Sequence, residues 1–168
     1  MTVVQINHRN TMWGFVLRYL FWISILFFLI YFENISPLFF LNYLQTDLSI
    51  YLTKLWIAFF EIPVTIYNDT ITYTHGFELE IINDCNGLAA FFFYIAGVLA
   101  FPSSIKSKIY WGIGGYFILL IANSIRLDWI IYHVIENPET FSFVHEVIGR
   151  YAMASVPLIL FYLFTEKN

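Results

Sequence analysis

The chain has 168 residues, 60% of them apolar and only 12% charged, with a mean hydropathy of +0.70 and a net charge of −4. Charged residues make up roughly a quarter of an ordinary soluble domain, so the composition excludes one. The 19 Phe and 12 Tyr residues suit a surface facing lipid tails and headgroups. The acidic balance argues against nucleic-acid binding, which needs a basic patch.

The first apolar run, Trp13 to Phe32, is long enough to span a bilayer and reads as a retained signal anchor, because no small-residue cleavage site follows it. Arg18 lies one turn inside and can snorkel back to the headgroups. From Pro37 to Glu61 the pattern changes. Leu41, Leu44, Leu48, Leu52, Leu55 and Phe59 form one seam, while Asn42, Gln45, Thr46, Ser49 and Thr53 fill much of the rest. This predicts an amphipathic interfacial helix rather than a span. Phe77, Leu79 and Ile81 then alternate with Glu78 and Glu80, and Asn68-Asp69 and His75-Gly76 are turn signals. A hairpin or three short strands are expected between Val64 and Asn83. Further spans are expected at Gly87 to Phe101, ended by Pro102, at Ile109 to Leu127, and at Gly149 to Phe164, with a kink at Pro157.

Four spans place Arg9, Arg18, Lys106, Lys108 and Lys167 together on the cytoplasmic side, as the positive-inside rule requires. The acidic residues from Glu33 to Glu146 then fall outside. The expectation is a single membrane-embedded domain, residues 1–168, in the cytoplasmic membrane. It is an all-α polytopic protein of about four transmembrane helices, with an extracytoplasmic segment of about 33–86 holding the interfacial helix and the β-hairpin region. Its surroundings are membrane lipid.

This topology brings three reactive residues to one membrane level. Cys85 stands at the mouth of the second span, Arg126 closes the third, and His145 precedes the fourth. Each has an ordinary reading: a small apolar filler, a headgroup anchor and a solvated loop histidine. Convergence gives them weight as catalytic residues for acyl transfer. A thiolate at a helix N-terminus is stabilised by the unpaired N–H groups and the helix dipole. His145 is placed to take the thiol proton and return it to a leaving amine. Arg126 is placed to hold the oxyanion. Asp84 works against the thiolate unless a cation such as Arg126 neutralises it. His133, seven residues after Arg126, is the second choice for the base if the helix continues outward. Asn123, one turn before Arg126, braces it, and Gly87 supplies backbone freedom next to the nucleophile. Glu80 and Asp84 are possible orienting groups for Arg126 or His145. The four histidines show no paired ligand spacing, so neither a metal nor a cofactor is expected. With one cysteine in the chain, dithiol exchange is also set aside.

Three segments resemble motifs of the exosortase/archaeosortase family. Glu80-Ile81-Ile82-Asn83-Asp84-Cys85-Asn86-Gly87-Leu88 is similar to its cysteine motif, Asn123-Ser124-Ile125-Arg126 to its N-x-x-R motif, and His145-Glu146-Val147-Ile148-Gly149 to its final histidine motif. The resemblance covers Gly76 to the C-terminus. Asn86 stands where the family often has Ser, and the chain is shorter than many members. The resemblance implies a membrane cysteine protease/transpeptidase that cleaves C-terminal sorting tails of exported proteins on the outer face, through a thioester acyl-enzyme. Such tails combine a short motif, a membrane helix and a basic cluster. Cys85 would be the nucleophile, Arg126 the oxyanion or positioning group, and His145 the acid/base. The competing expectation is a non-catalytic membrane subunit of a surface-polysaccharide or export assembly. A transporter would place ionisable residues deep in its spans, whereas here they cluster at span ends.

Overall fold

A computed structural model describes residues 8–168 apart from His75, Asn83 and Asp84, with side chains from Met12 onward. The expected turn at His75, the strand limit at Asn83, the Asp84 charge beside the thiol and the Arg9 side chain lie outside the described residues. Helix α1 (His8–Ile30) is followed by α2 (Phe40–Phe59), a three-stranded sheet, α3 (Leu88–Ala100) and the long α4 (Ile105–Glu136). A 3₁₀ turn (Pro138–Thr140), one helical turn (Phe141–Phe143) and a π-helical turn (Val144–Gly149) then lead into α5 (Arg150–Lys167). Helices Met12–Ile30, Ile105–Glu136 and Pro138–Lys167 are long and apolar enough to cross a membrane. The chain is an all-α polytopic membrane protein carrying one small sheet.

The four expected spans correspond to α1, α3, α4 and α5, with two differences in length. With 13 residues, α3 covers about 20 Å, less than the roughly 30 Å of a hydrocarbon core. Helix α4 continues nine residues past Leu127, to Glu136. Its 32 residues extend about 48 Å, so one end must project beyond the apolar layer. That end carries Leu127, Ile130, Ile131 and Val134 on its buried face, against which the sheet and α2 pack.

The sheet runs β1 (Val64–Tyr67), β2 (Thr70–Tyr73) and β3 (Glu78–Glu80), antiparallel in the order β1-β2-β3. Its first turn uses Asn68 at φ 54°, a conformation asparagine tolerates well. Alternation puts Ile71 and Tyr73 into the core, and the Tyr73 hydroxyl donates to the Ile131 carbonyl at 3.4 Å.

Helix α2 has the two stripes expected of it, and the polar one is buried. Asn42, Gln45, Thr46, Ser49 and Thr53 are at most 7% exposed, while Leu44, Leu55 and Phe59 face outward. Asn42, Gln45, Thr46 and Ser49 find partners on neighbouring elements, such as Tyr116, whose hydroxyl donates to Gln45 Oε1 at 2.7 Å, whereas Thr53 Oγ1 has none among the described residues. Apolar groups turned toward lipid lose nothing by it, since lipid tails are as apolar as they are.

The second core joins α3, α4 and α5 through Tyr94, Val98, Leu119, Met153, Leu160 and Phe164. The Tyr94 ring lies directly over Gly115, where a Cβ would come within 2.1 Å of the ring, and its hydroxyl donates to the Trp111 carbonyl at 2.9 Å. Lys108 Nζ donates to the Leu99 carbonyl at 2.7 Å, closing the end of α3 after which Pro102 follows. Gly115→Ala should therefore destabilise the fold by about 1–3 kcal/mol. Gly114→Ala, which meets open space, should not. Thermal unfolding in one detergent checks this: equal melting temperatures for the two variants would remove the α3–α4 contact from the account.

Candidate active site

Cys85 sits in the short turn joining the sheet to α3. Its N–H donates to the Ile82 carbonyl at 2.9 Å, and its side chain packs partly against the sheet-side core. Two residues later Gly87 adopts φ +78°, the left-handed conformation that lets the chain reverse into a helix without a Cβ penalty. A Cβ there would also fall 2.9 Å from Asn123 Cγ, so glycine is required both by the backbone and by its neighbour. The Asn86 side-chain oxygen accepts the Leu88 N–H at 2.9 Å, satisfying one of the first amides of α3.

Helix α4 supplies the opposite wall. Asn123, fully buried, donates through Nδ2 to the Cys85 carbonyl at 3.0 Å. One turn on, Arg126 Nη2 reaches the same carbonyl at 3.4 Å. Asn123 therefore braces the nucleophile's own peptide rather than the arginine. Arg126 Nε is buried and has no partner among the described residues.

The third wall is the π-helical turn. His145 Nε2 lies 3.4 Å from Cys85 Sγ, its ring stacks on Phe141 at 5.2 Å, and its Nδ1 is 3.6 Å from Glu146 Oε1. Glu146 is in turn held by Arg150 at 2.9 Å. An acceptor on the Nδ1 side favours the tautomer whose Nε2 is free to take a proton from sulfur. A π turn widens the helix locally and redirects its side chains. Gly149 makes room for it: a Cβ there would meet the Val144 carbonyl at 3.3 Å and Ile130 Cδ1 at 3.2 Å.

The structure thus gathers Cys85, Arg126, His145, Asn123 and Gly87 at one place. It does not bring His133 there. That ring is half-buried, bonds the Trp129 carbonyl at 3.0 Å and packs tilted against the Trp129 ring. Helix α4 does continue outward, but a seven-residue step carries His133 two turns beyond Arg126. Glu80 lies elsewhere too, in a depression between α2 and the sheet with Asp47, Lys54 and Asp69, and Glu146 stands beside the histidine instead.

The sequence pattern gave Glu146 no role and assigned the polar stripe of α2 to an interfacial face rather than to the interior. Adjacent helical residues diverge by about 100°, which hid Glu146 behind its neighbour. The signal for α2 was present in its composition: a polar stripe made only of amides and hydroxyls asks for buried partners, whereas a water-facing stripe usually carries charge. The Asn86 side-chain amide donates to Asn42 Oδ1 and, at 3.0 Å, to Thr46 Oγ1.

A groove of about 690 Å³ starts at Arg126 and Gly87 and runs between α1, α3 and α5. Its floor is Ala89, Ala90, Phe93 and Gly97, and its wall on α5 includes Ala154 and Leu158. Phe15 and Phe161, stacked at 6.0 Å, bridge α1 to α5 along it.

Residues 10–163 match the family model described as transmembrane exosortase of the EpsH type. The chain belongs to the transmembrane exosortase family. The match reaches far beyond the region from Gly76 that carries the three motifs, and takes in α1, α2 and the sheet. Neither a curated protein nor a solved structure matches this exosortase-family chain.

With Nε2 in contact with sulfur, His145→Ala should slow alkylation of Cys85 by iodoacetamide at pH 7 by about tenfold or more. His133→Ala should leave the rate within about twofold. Comparable slowing in both variants would show that the imidazole at 3.4 Å does not activate the thiol.

Proposed function

We propose that this chain is a membrane cysteine peptidase that cleaves C-terminal sorting tails of exported proteins through a thioester on Cys85, at the extracytoplasmic end of the bundle. The observation that carries this reading is the 3.4 Å approach of His145 Nε2 to the thiol in a chain of the exosortase family, whose members are in general cysteine peptidases. His145 takes the thiol proton, and the sulfur attacks the carbonyl carbon of the scissile peptide. The π electron pair moves onto oxygen, with the Arg126 charge close by to stabilise it. Collapse of this intermediate breaks the C–N bond, and His145 returns the proton to the departing amine. The thioester is then released to water or to an acceptor amine.

The groove supports a bilayer-anchored substrate, since an apolar channel whose floor includes Ala89, Ala90 and Gly97 lets another apolar helix approach. The clustering of Lys106, Lys108 and Lys167 at the other end of the helices supports the orientation. On this reading the reaction takes place at the outer face of the cytoplasmic membrane.

Cys85→Ala should abolish cleavage without loss of the protein. Mass spectrometry of protein C-termini in membrane and secreted fractions is the check. Proteins that keep a hydrophobic, basic-ended tail only in the variant are the expected result, and they identify the substrates. Unchanged C-termini with both forms well expressed would leave a non-catalytic membrane subunit as the better reading.

A further inference from the structure

The peptide between Asn86 and Gly87 is held from one side by α2. The Asn86 carbonyl accepts from Gln45 Nε2 at 3.1 Å and from Ser49 Oγ at 3.2 Å. The preceding carbonyl, that of Cys85, is held from the other side by Asn123 and Arg126 of α4. Two consecutive carbonyls therefore each receive two side-chain donors, and Asn86 itself is 2% exposed. Ordinary turns are not fixed this heavily. In a trans peptide the N–H points opposite to the carbonyl, so anchoring the Asn86 carbonyl on α2 directs the Gly87 N–H away from α2. No described group accepts from that N–H, and Gly87 lines the groove together with Arg126.

We propose that Gln45 and Ser49 are positioning residues of the reaction, and that by holding the Asn86 carbonyl they aim the Gly87 N–H at the oxygen of the carbonyl attacked by Cys85. This rests on the acyl-enzyme reading above and adds a donor to it. As sulfur bonds to carbon, the π pair moves to oxygen and the Gly87 N–H donates to that oxyanion. The bond lapses when the C–N or C–O bond breaks and the carbonyl re-forms. Arg126 supplies charge, while the amide supplies direction. Gln45 has a further link, because its Oε1 accepts from Tyr116 of α4, which fixes the amide orientation that presents Nε2 to Asn86.

The experiment compares two reactions of Cys85 in the full chain in detergent. Alkylation by iodoacetamide has no oxyanion, whereas acylation by 4-nitrophenyl acetate forms one before 4-nitrophenolate leaves. Both are read as adducts on the Cys85 peptide, with Cys85→Ala as the blank. Gln45→Met and Ser49→Ala, singly and together, should lower the acylation rate by about 10- to 100-fold and leave alkylation within about twofold. Trp56→Phe is the control for a loosened core. It removes the Trp56–Ser124 hydrogen bond between the same two helices without touching Asn86, and should leave the ratio of the two rates at its wild-type value. Ser49→Ala, the smallest change, keeps the test available if Gln45→Met fails to fold. An unchanged ratio in the Gln45 and Ser49 variants, an equal fall in both reactions, or the same fall in Trp56→Phe would each overturn the proposal. A wild-type Cys85 that is alkylated but never acylated would instead overturn the acyl-enzyme reading beneath it.

Discussion

Everything at the site depends on one constraint, the fixing of the Cys85-Asn86-Gly87 backbone between α2 and α4. The segment belongs to no long element, and Asn86 at its centre is buried. An unpaired carbonyl there would cost about as much as a lost hydrogen bond with nothing in exchange. Four side-chain donors remove that cost. In doing so they convert a connecting turn into a rigid mount for the thiol. The left-handed Gly87 is the geometric price of that mount, and its close fit to Asn123 shows why no larger residue serves.

The same constraint explains why α2 is built inside out relative to a helix in water. Its polar stripe is buried because that is where the carbonyl to be held is, and its apolar stripe is exposed because the surroundings are themselves apolar. Around it the fold divides the labour. The core of Tyr94, Leu119 and Phe164 holds α3, α4 and α5 together, and the core of Ile57, Tyr73 and Ile131 seats the sheet on the projecting end of α4. The thiol packs against the second of these cores, and the imidazole reaches it from the π-helical turn.

The polytopic helical fold and the three reactive residues were legible because they rest on long-range signals: apolar run length, the lysines and arginines at one side, and an ordered set of motifs. Cys85, Arg126 and His145 could be brought to one level from topology alone, and in the structure they occupy one site. The length of α4 was not legible, because the residues after Leu127 carry Asp128, His133 and Glu136 and look like loop. Burial of Ile130, Ile131 and Val134 against the sheet extends the helix all the same. The π-helical turn has no local signature, so Glu146 was hidden one residue from the histidine it accompanies. The α2 seam was seen, but periodicity shows that two faces differ and leaves open which is buried. The part played by Asn86 was not legible either, because its side-chain partners Asn42 and Thr46 lie on a helix some forty residues away.

The central claim is that Cys85 carries an acyl group during turnover, and the most direct measurement is of that group itself. The chain is purified from cells that process its substrates, and the Cys85 peptide is weighed before and after neutral hydroxylamine, which cleaves thioesters. The account predicts a peptidyl adduct on Cys85 that hydroxylamine removes. Tail cleavage that proceeds with Cys85 always unmodified, or with the adduct on another residue, would contradict it.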